Sequence, residues 1–309
     1  MIAAAIVGLI GPTVEVAAET AAPAAVSVSA PLSEPLTATV FGTSIKYHDL
    51  GSGPVIVLLH GMGSSSDGDW GRVMPALATN HRVLALDQLG FGKSDKPLID
   101  YSIQTWVDML GEFLRQQQVG EFTLMGESLG GWIAAKYTAQ ALSGLTAGGP
   151  ALALPKPSRL VLCDSAGRRE SVVAMVSHKP SPSEPPAASL AGQKALLSKV
   201  FADPSWVTPD GLRTGLAWSI AKGDAWTIRS VLRNPAMIDE ALSARDYAAI
   251  AIPTLVVWGE RDALIPIADG RYMARQIKGA RFATVAGSGH APMIERPDAF
   301  LETVGSFLQ

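Results

Sequence analysis

Near the middle of the chain stands Phe122-Thr-Leu-Met-Gly-Glu-Ser-Leu-Gly-Gly-Trp132. Residues 122–125 are a short apolar run, and residues 133–141 are small and helix-favouring. The stretch reads as buried strand, tight turn and helix, with Ser128 at the apex. Such a turn forces the serine backbone towards positive φ. Gly126 and Gly130, two before and two after it, let strand and helix approach closely. The strain points the Ser128 hydroxyl out of the sheet edge, where the helix N-terminus can stabilise nearby negative charge. A glycine-x-serine-x-glycine pattern alone also arises by chance, so the flanking chain must decide.

Outward from this stretch, apolar runs alternate with helical patterns. Residues 55–59 and 82–86 are continuous apolar runs, the mark of strands buried on both faces. Residues 39–48 alternate around Gly42-Thr43, which predicts an antiparallel pair joined by a tight turn. A helix is expected over residues 70–77. Ser102 can cap a second helix in which Ile103, Trp106, Val107, Leu110 and Leu114 recur at helical spacing. Residues 143–158, rich in Gly, Ala and Pro, read as a loop, and residues 159–164 as a strand. After residue 246 the alternation resumes, with strands at 252–258 and 282–285 and helices at 266–277 and 298–308. Pro266 and Gly279 bracket the first of these helices.

This order predicts an α/β fold, a mostly parallel, doubly wound sheet covered on both faces. Its core takes residues 38–165 and 247–309. Residues 166–246 interrupt the alternation with several helical segments carrying Trp206, Trp218 and Trp226. An insertion there is a helical cap, or lid, over the strand ends where ligands bind in open α/β sheets.

At 309 residues and 48% hydrophobic content the chain can bury a large core, and its net charge of −3 gives no footprint for nucleic acid. The single cysteine, Cys163, excludes an internal disulfide and follows an apolar run, so it reads as a small buried hydrophobe. No His/Cys cluster has metal-ligand spacing, and neither metal nor cofactor is expected. Residues 1–37 form a leader of different composition. Its apolar stretch at 2–10 is too short to span a bilayer and resembles the core of a secretory signal, though without a basic start. Export to the periplasm or medium is the expectation, a cytoplasmic location the alternative, and stable membrane insertion is not expected. Oligomeric state is not legible.

A serine hydroxyl needs a base to take its proton, and the base needs an orienting group. Trp258-Gly-Glu-Arg-Asp-Ala-Leu-Ile-Pro266 places Asp262 in the loop after one strand, and Gly287-Ser-Gly-His-Ala-Pro-Met293 places His290 after the next. The chain order is serine, aspartate, histidine, each on a loop leaving one sheet edge. Asp164, at the end of the preceding strand, is a weaker candidate for the acid. Asp87 and Asp95 read as loop-positioning residues. Glu127 reads as a strand-end carboxylate paired or solvated away from substrate, or as an electrostatic tuner of the site. His178 reads as solvated.

The motifs HGMG (residues 60–63), DQLGFGKSD (87–95), GESLG (126–130) and the pair GERD (259–262) and GSGH (287–290) occur in one order. In this the sequence resembles the α/β-hydrolase superfamily, in its helical-cap branch, over roughly residues 38–309. The resemblance implies Ser128 as nucleophile, His290 as general base and then acid, and Asp262 as the residue that holds the histidine tautomer. It implies an oxyanion hole from the backbone N–H groups of Met62 and Leu129. Gly61 and Gly63 support that loop, and His60 braces it. Epoxide hydrolases and haloalkane dehalogenases carry aspartate where this chain has Ser128, so their chemistry is not implied. Meta-cleavage product hydrolases usually carry asparagine before the serine and tryptophan soon after the histidine, where this chain has Glu127 and Ala291-Pro292-Met293. The expected activity is therefore hydrolysis of a small to medium carboxylic ester, a small-molecule substrate. The alternatives are carbon–carbon hydrolysis of a β-diketone-like substrate, or ligand binding with little turnover.

Overall fold

The computed structural model describes residues 32–144, 152–221 and 223–309. Residues 1–31 of the leader, with the export expectation, lie outside them, as do residues 145–151 of the expected loop. Eight strands form one sheet: β1 (Leu36–Val40), β2 (Thr43–Gly51), β3 (Val55–Leu59), β4 (Arg82–Leu86), β5 (Phe122–Glu127), β6 (Arg159–Cys163), β7 (Thr254–Gly259) and β8 (Arg281–Val285). Their order is β1-β2-β4-β3-β5-β6-β7-β8. The pairs β1–β2 and β2–β4 are antiparallel, and every pair from β4 through β8 is parallel.

The apolar runs are continuous because both faces of the sheet are covered. Val57, Leu59, Leu84, Leu86, Leu160 and Leu162 point into one core, shared with helices Ile103–Gln116 and Ser128–Ser143. Their neighbours Ile56, Leu58, Val83, Ala85, Val161 and Cys163 point into the other, shared with Trp70, Met74 and the helix Pro297–Leu308. The period of two divides each strand between two cores, so no polar side chain is needed on either face. Cys163 is fully buried, as expected. Ser102 caps its helix, its hydroxyl accepting the Thr105 N–H at 3.0 Å.

Three expectations need adjustment. The sheet begins at Leu36 rather than residue 38. The helix expected over 70–77 is two short helices, Ser66–Trp70 and Met74–Leu77. Pro75 explains the break: its ring fits the first turn of a new helix but not the interior of an old one. At the far end of the insertion, helix Ala244–Ala248 crosses the boundary drawn at residue 246.

Between β6 and β7 the chain runs through helices Arg169–Ser177, Leu190–Val200, Pro209–Ala221, Asp224–Leu232 and Met237–Glu240. Their polarity differs from that of the core helices, and Pro209–Ala221 buries no residue. This layer is held to the core by side-chain contacts of helix Asp224–Leu232. Thr227 donates to the Gly90 carbonyl at 3.0 Å, Trp226 to Ile99 at 3.0 Å, and Asp224 pairs with Lys96 at 3.3 Å. Ile228 of the same helix stands where it would crowd a Cβ on Gly63, in the loop that follows β3.

Candidate active site

The site starts at the turn after β5. Ser128 has φ +49°, in the left-handed region, and its neighbour Glu127 is extended. Both glycines of the turn are steric necessities. A Cβ on Gly126 would collide with the Gly130 carbonyl, and one on Gly130 with the Leu59 carbonyl of β3. Ser128 is half-buried at the first position of its helix, so the N–H groups of the first turn have no acceptor within that helix.

His290 arrives from the loop after β8 and Asp262 from the loop after β7. Asp262 Oδ2 lies 2.8 Å from His290 Nδ1. A carboxylate oxygen accepts, so the proton sits on Nδ1 and the Nε2 lone pair is left as the base. The other Asp262 oxygen accepts the N–H groups of Leu264 at 2.7 Å and Ile265 at 2.9 Å, which fixes the carboxylate in its loop. The imidazole is almost wholly buried. Its backbone is tied to the helical insertion, since the His290 N–H donates to the Val200 carbonyl at 2.7 Å.

Asp164, directly after β6, has φ +43° and is fully buried. Its Oδ1 accepts the Gly259 N–H at 2.7 Å, and its side chain meets that of Asp262. Burial, and then the charge of Asp262, push its acid well above the usual carboxylate range. It touches Asp262 rather than standing in for it. Ligating atoms of Asp164, Asp262 and His290 lie within 4.8 Å of one another. His290 Nδ1 is already committed to Asp262 in that cluster.

The loop after β3 is built round His60. Its Nδ1 donates to the Gly61 carbonyl at 2.7 Å, and its Nε2 accepts the Gln88 N–H at 3.0 Å. With both nitrogens spent on backbone, His60 is a brace and has no free lone pair to act as a base. Met62 is half-buried on this loop, and Gly63 has φ +76°. Asp87 serves the adjoining loop, accepting from Ser66 N–H and Oγ and from Lys93 N–H. Asp95 accepts the Ser44 N–H at 2.7 Å. His178 is exposed and pairs with Glu184 at 3.1 Å.

Glu127 departs from the expectation of a solvated or diverted carboxylate. It is buried, and its Oε1 stands 3.2 Å from His290 Nε2. Its other oxygen lies where a Gly61 Cβ would be, so Gly61 is glycine to make room for Glu127. Burial first, then the charge of Asp69 and a hydrogen bond with it, raise the Glu127 acid well above the carboxylate range.

Two buried acids of the site carry no motif. Asp69 accepts the Gly61 N–H at 2.7 Å and the Ser64 hydroxyl at 2.5 Å. Glu295 accepts the Gly289 N–H and, at 3.0 Å, the Asp203 N–H of the insertion, bridging it to the histidine loop. The one available signal was charge in otherwise apolar surroundings, Asp69 before Trp70 and Glu295 after Met293-Ile294. Two tryptophans of the insertion, Trp206 and Trp226, meet residues of the core. Trp206 stacks on Phe201 under the Arg72 guanidinium, and Trp226 is exposed.

Residues 56–303 match the alpha/beta hydrolase family. The chain belongs to that family. It is 30% identical to 2-hydroxymuconate semialdehyde hydrolase of Pseudomonas sp. (strain CF600), over 86% of this chain and 91% of that one. A solved meta-cleavage product hydrolase from Pseudomonas fluorescens IP01 superposes with TM-score 0.74 at 26% identity, covering 89% of this chain and 97% of that one. The enol-lactonase from Burkholderia xenovorans LB400 superposes with TM-score 0.69 at 26% identity, covering 88% and 99%. The protein is thus a hydrolase of the α/β fold, similar both to carbon–carbon hydrolases and to enzymes of ester-type bonds.

Proposed function

We propose that this hydrolase cleaves a small to medium, uncharged carboxylic ester through Ser128, His290 and Asp262. Ser128 Oγ attacks the ester carbonyl carbon while its proton passes to His290 Nε2. The carbonyl oxygen becomes an oxyanion and accepts from the N–H groups of Leu129 and Met62. Each donor of this kind contributes about 2.7–4 kcal/mol to the transition state. Collapse breaks the bond to the alcohol, which leaves with the Nε2 proton. Water, activated by the same Nε2, then releases the acid and restores Ser128. Asp262 holds Nδ1–H throughout and stabilises the imidazolium.

The observations that carry the reading are the 2.8 Å Asp262–His290 contact and a serine held at positive φ after β5. Electrostatics support an ester over a dienoate. The charges that raise the buried acids are carboxylates: Asp69, Asp164 and Asp262 for Glu127, and Asp262 and Glu295 for Asp164. A 2-hydroxymuconate semialdehyde carries its own carboxylate and would be repelled there, whereas a neutral ester would not.

The carbon–carbon reading keeps one observation in its favour, the 30% identity to the hydroxymuconate semialdehyde hydrolase. Initial rates on p-nitrophenyl esters of graded acyl length, beside rates on a 2-hydroxy-6-oxo-dienoate, separate the two. Ester rates are expected to peak at about two to six acyl carbons, the range that pockets of ~300–1,000 Å³ enclose. Rapid dienoate cleavage with no ester turnover would make the protein a carbon–carbon hydrolase. Binding without turnover of either would make it a receptor.

A further inference from the structure

His290 Nε2 is buried and has no hydrogen-bond partner among the described residues. The group that faces it is a carboxyl oxygen, Glu127 Oε1, at 3.2 Å. With the Nδ1 proton committed to Asp262, the Nε2 lone pair would confront an oxygen lone pair inside the protein. Buried polar atoms are rarely left so, because each unsatisfied one costs about 1–3 kcal/mol. A proton between the two atoms removes the conflict, whichever of them holds it.

We propose that Glu127 is a positioning residue that shares one proton with His290 Nε2 in the resting enzyme and keeps Nε2 from Ser128 until that proton is lost. The inference rests on the serine-hydrolase reading for the role of Nε2. With the proton on the imidazole, Nε2 is an N–H donor to Glu127 and cannot take the serine proton. With the proton on the carboxyl, Glu127 donates to Nε2 and occupies the same lone pair. Both tautomers are inactive. Loss of the proton to solvent leaves Nε2 as a free base beside an ionised Glu127, and the ring can turn to Ser128 Oγ.

The surroundings favour keeping the proton. Glu127 is faced by Asp69 from helix Ser66–Trp70, by Asp164 from the end of β6, by Asp262 from the loop after β7 and by His290 itself. Glu295, from helix Pro292–Glu295, stands behind Asp164. Among these groups the imidazole is the one base in a ring of acids. Gly61 gives the arrangement its geometry, since any Cβ there would displace the Glu127 carboxyl. A residue placed merely to fill space would not require a glycine opposite its charged end.

The test is the pH dependence of kcat/KM on p-nitrophenyl acetate in the full-length protein and in Glu127→Gln, with a parallel nitrogen-15 NMR titration of His290. Glutamine keeps the shape but cannot share the titrating proton. Groups coupled this closely interact by more than about one unit, so the acidic limb of the variant is expected at least about one unit lower than the parent's. The variant then retains a larger share of its maximal activity in acid, a gain that loss of packing would not produce. An unchanged or higher limb in Glu127→Gln overturns the proposal. Should the variant not fold, the parent alone decides. At pH 7, a His290 Nε2 nitrogen-15 signal of a protonated or hydrogen-bonded nitrogen supports the shared proton, and the signal of a bare, unprotonated nitrogen overturns it. The NMR titration needs no substrate. A bare Nε2 signal in a protein that hydrolyses esters would sink this inference alone, whereas failure of every ester with a proton shared at Nε2 would sink the functional reading instead.

Discussion

Asp164 and Asp262 close neighbouring strands at one edge of the sheet, and their side chains touch. Either could be matched to the acid of a serine–histidine pair, yet their surroundings differ. Asp262 sits among donors: Leu264 N–H, Ile265 N–H and His290 Nδ1–H. Asp164 has one donor, Gly259 N–H, and otherwise a second carboxyl and the apolar interior. Two carboxyls in contact cannot both ionise without large cost. The one lacking donors is the one whose acid is raised, by burial first and then by the charge of the other. The role of a buried acid is therefore set by the donors its loop supplies, and not by how near a histidine it lies.

The comparison breaks most sharply on substitution. Asp262→Asn should lower kcat by about 10⁴, because an amide at Nδ1 strands the histidine in the wrong tautomer. Asp164→Asn should cost far less, since the amide N–H can replace the acid proton that faces Asp262. Single-turnover rates on one good ester measure both. If the two effects came out reversed, the working acid would be the one on β6.

Stability sharpens the same contrast. The folded-state acid of Asp164 is raised above its ordinary value of 3.8. Above that value the unfolded chain has ionised while the folded one still holds the proton. Folding then takes up a proton, and stability falls as pH rises. The amide introduced by Asp164→Asn has nothing to ionise, so this variant should gain Tm over the parent as pH is raised from about 4 to 8, by up to several degrees. Melting curves at matched pH measure this, and a variant whose Tm difference is flat with pH would show Asp164 ionised in the folded state.

A smaller effect is expected further from the chemistry. Glu295 bridges the histidine loop to the insertion through Gly289 N–H and Asp203 N–H. Glu295→Gln keeps one acceptor oxygen and loses the other, so kcat should fall by about ten- to a hundredfold at most, the value of one hydrogen bond to a charged group being ~1.5–3 kcal/mol. Steady-state kinetics with KM unchanged would place the effect on the histidine and not on substrate binding.

Much of the scaffold was legible in the chain because it follows local rules. Residues 55–59 and 82–86 read as strands since both faces are buried, and Gly126-x-Ser128-x-Gly130 reads as a turn since nothing larger fits. The order Ser128, Asp262, His290 was readable from strand ends alone, and the structure brings Asp262 onto His290. What escaped depends on contacts distant in sequence. Glu127 turns onto His290 because Gly61, on another strand's loop, has no side chain to stop it. Asp69 and Glu295 serve backbone N–H groups of loops they do not belong to, and no spacing announces that. The break after Trp70 was signalled by Pro75, but the apolar run around it read as one helix.

The account stands on Ser128 as a nucleophile, and covalent capture tests it most directly. The intact protein is treated with a fluorophosphonate, and the modified peptide is mapped by mass spectrometry beside the same experiment on Ser128→Ala. One adduct is predicted, on Ser128, absent from a Ser128→Ala protein that melts like the parent and whose kcat is lower by about 10⁶. An ester-hydrolysing protein that carries the adduct on Ser64, Ser65 or Ser66, or that still labels as Ser128→Ala, would contradict it.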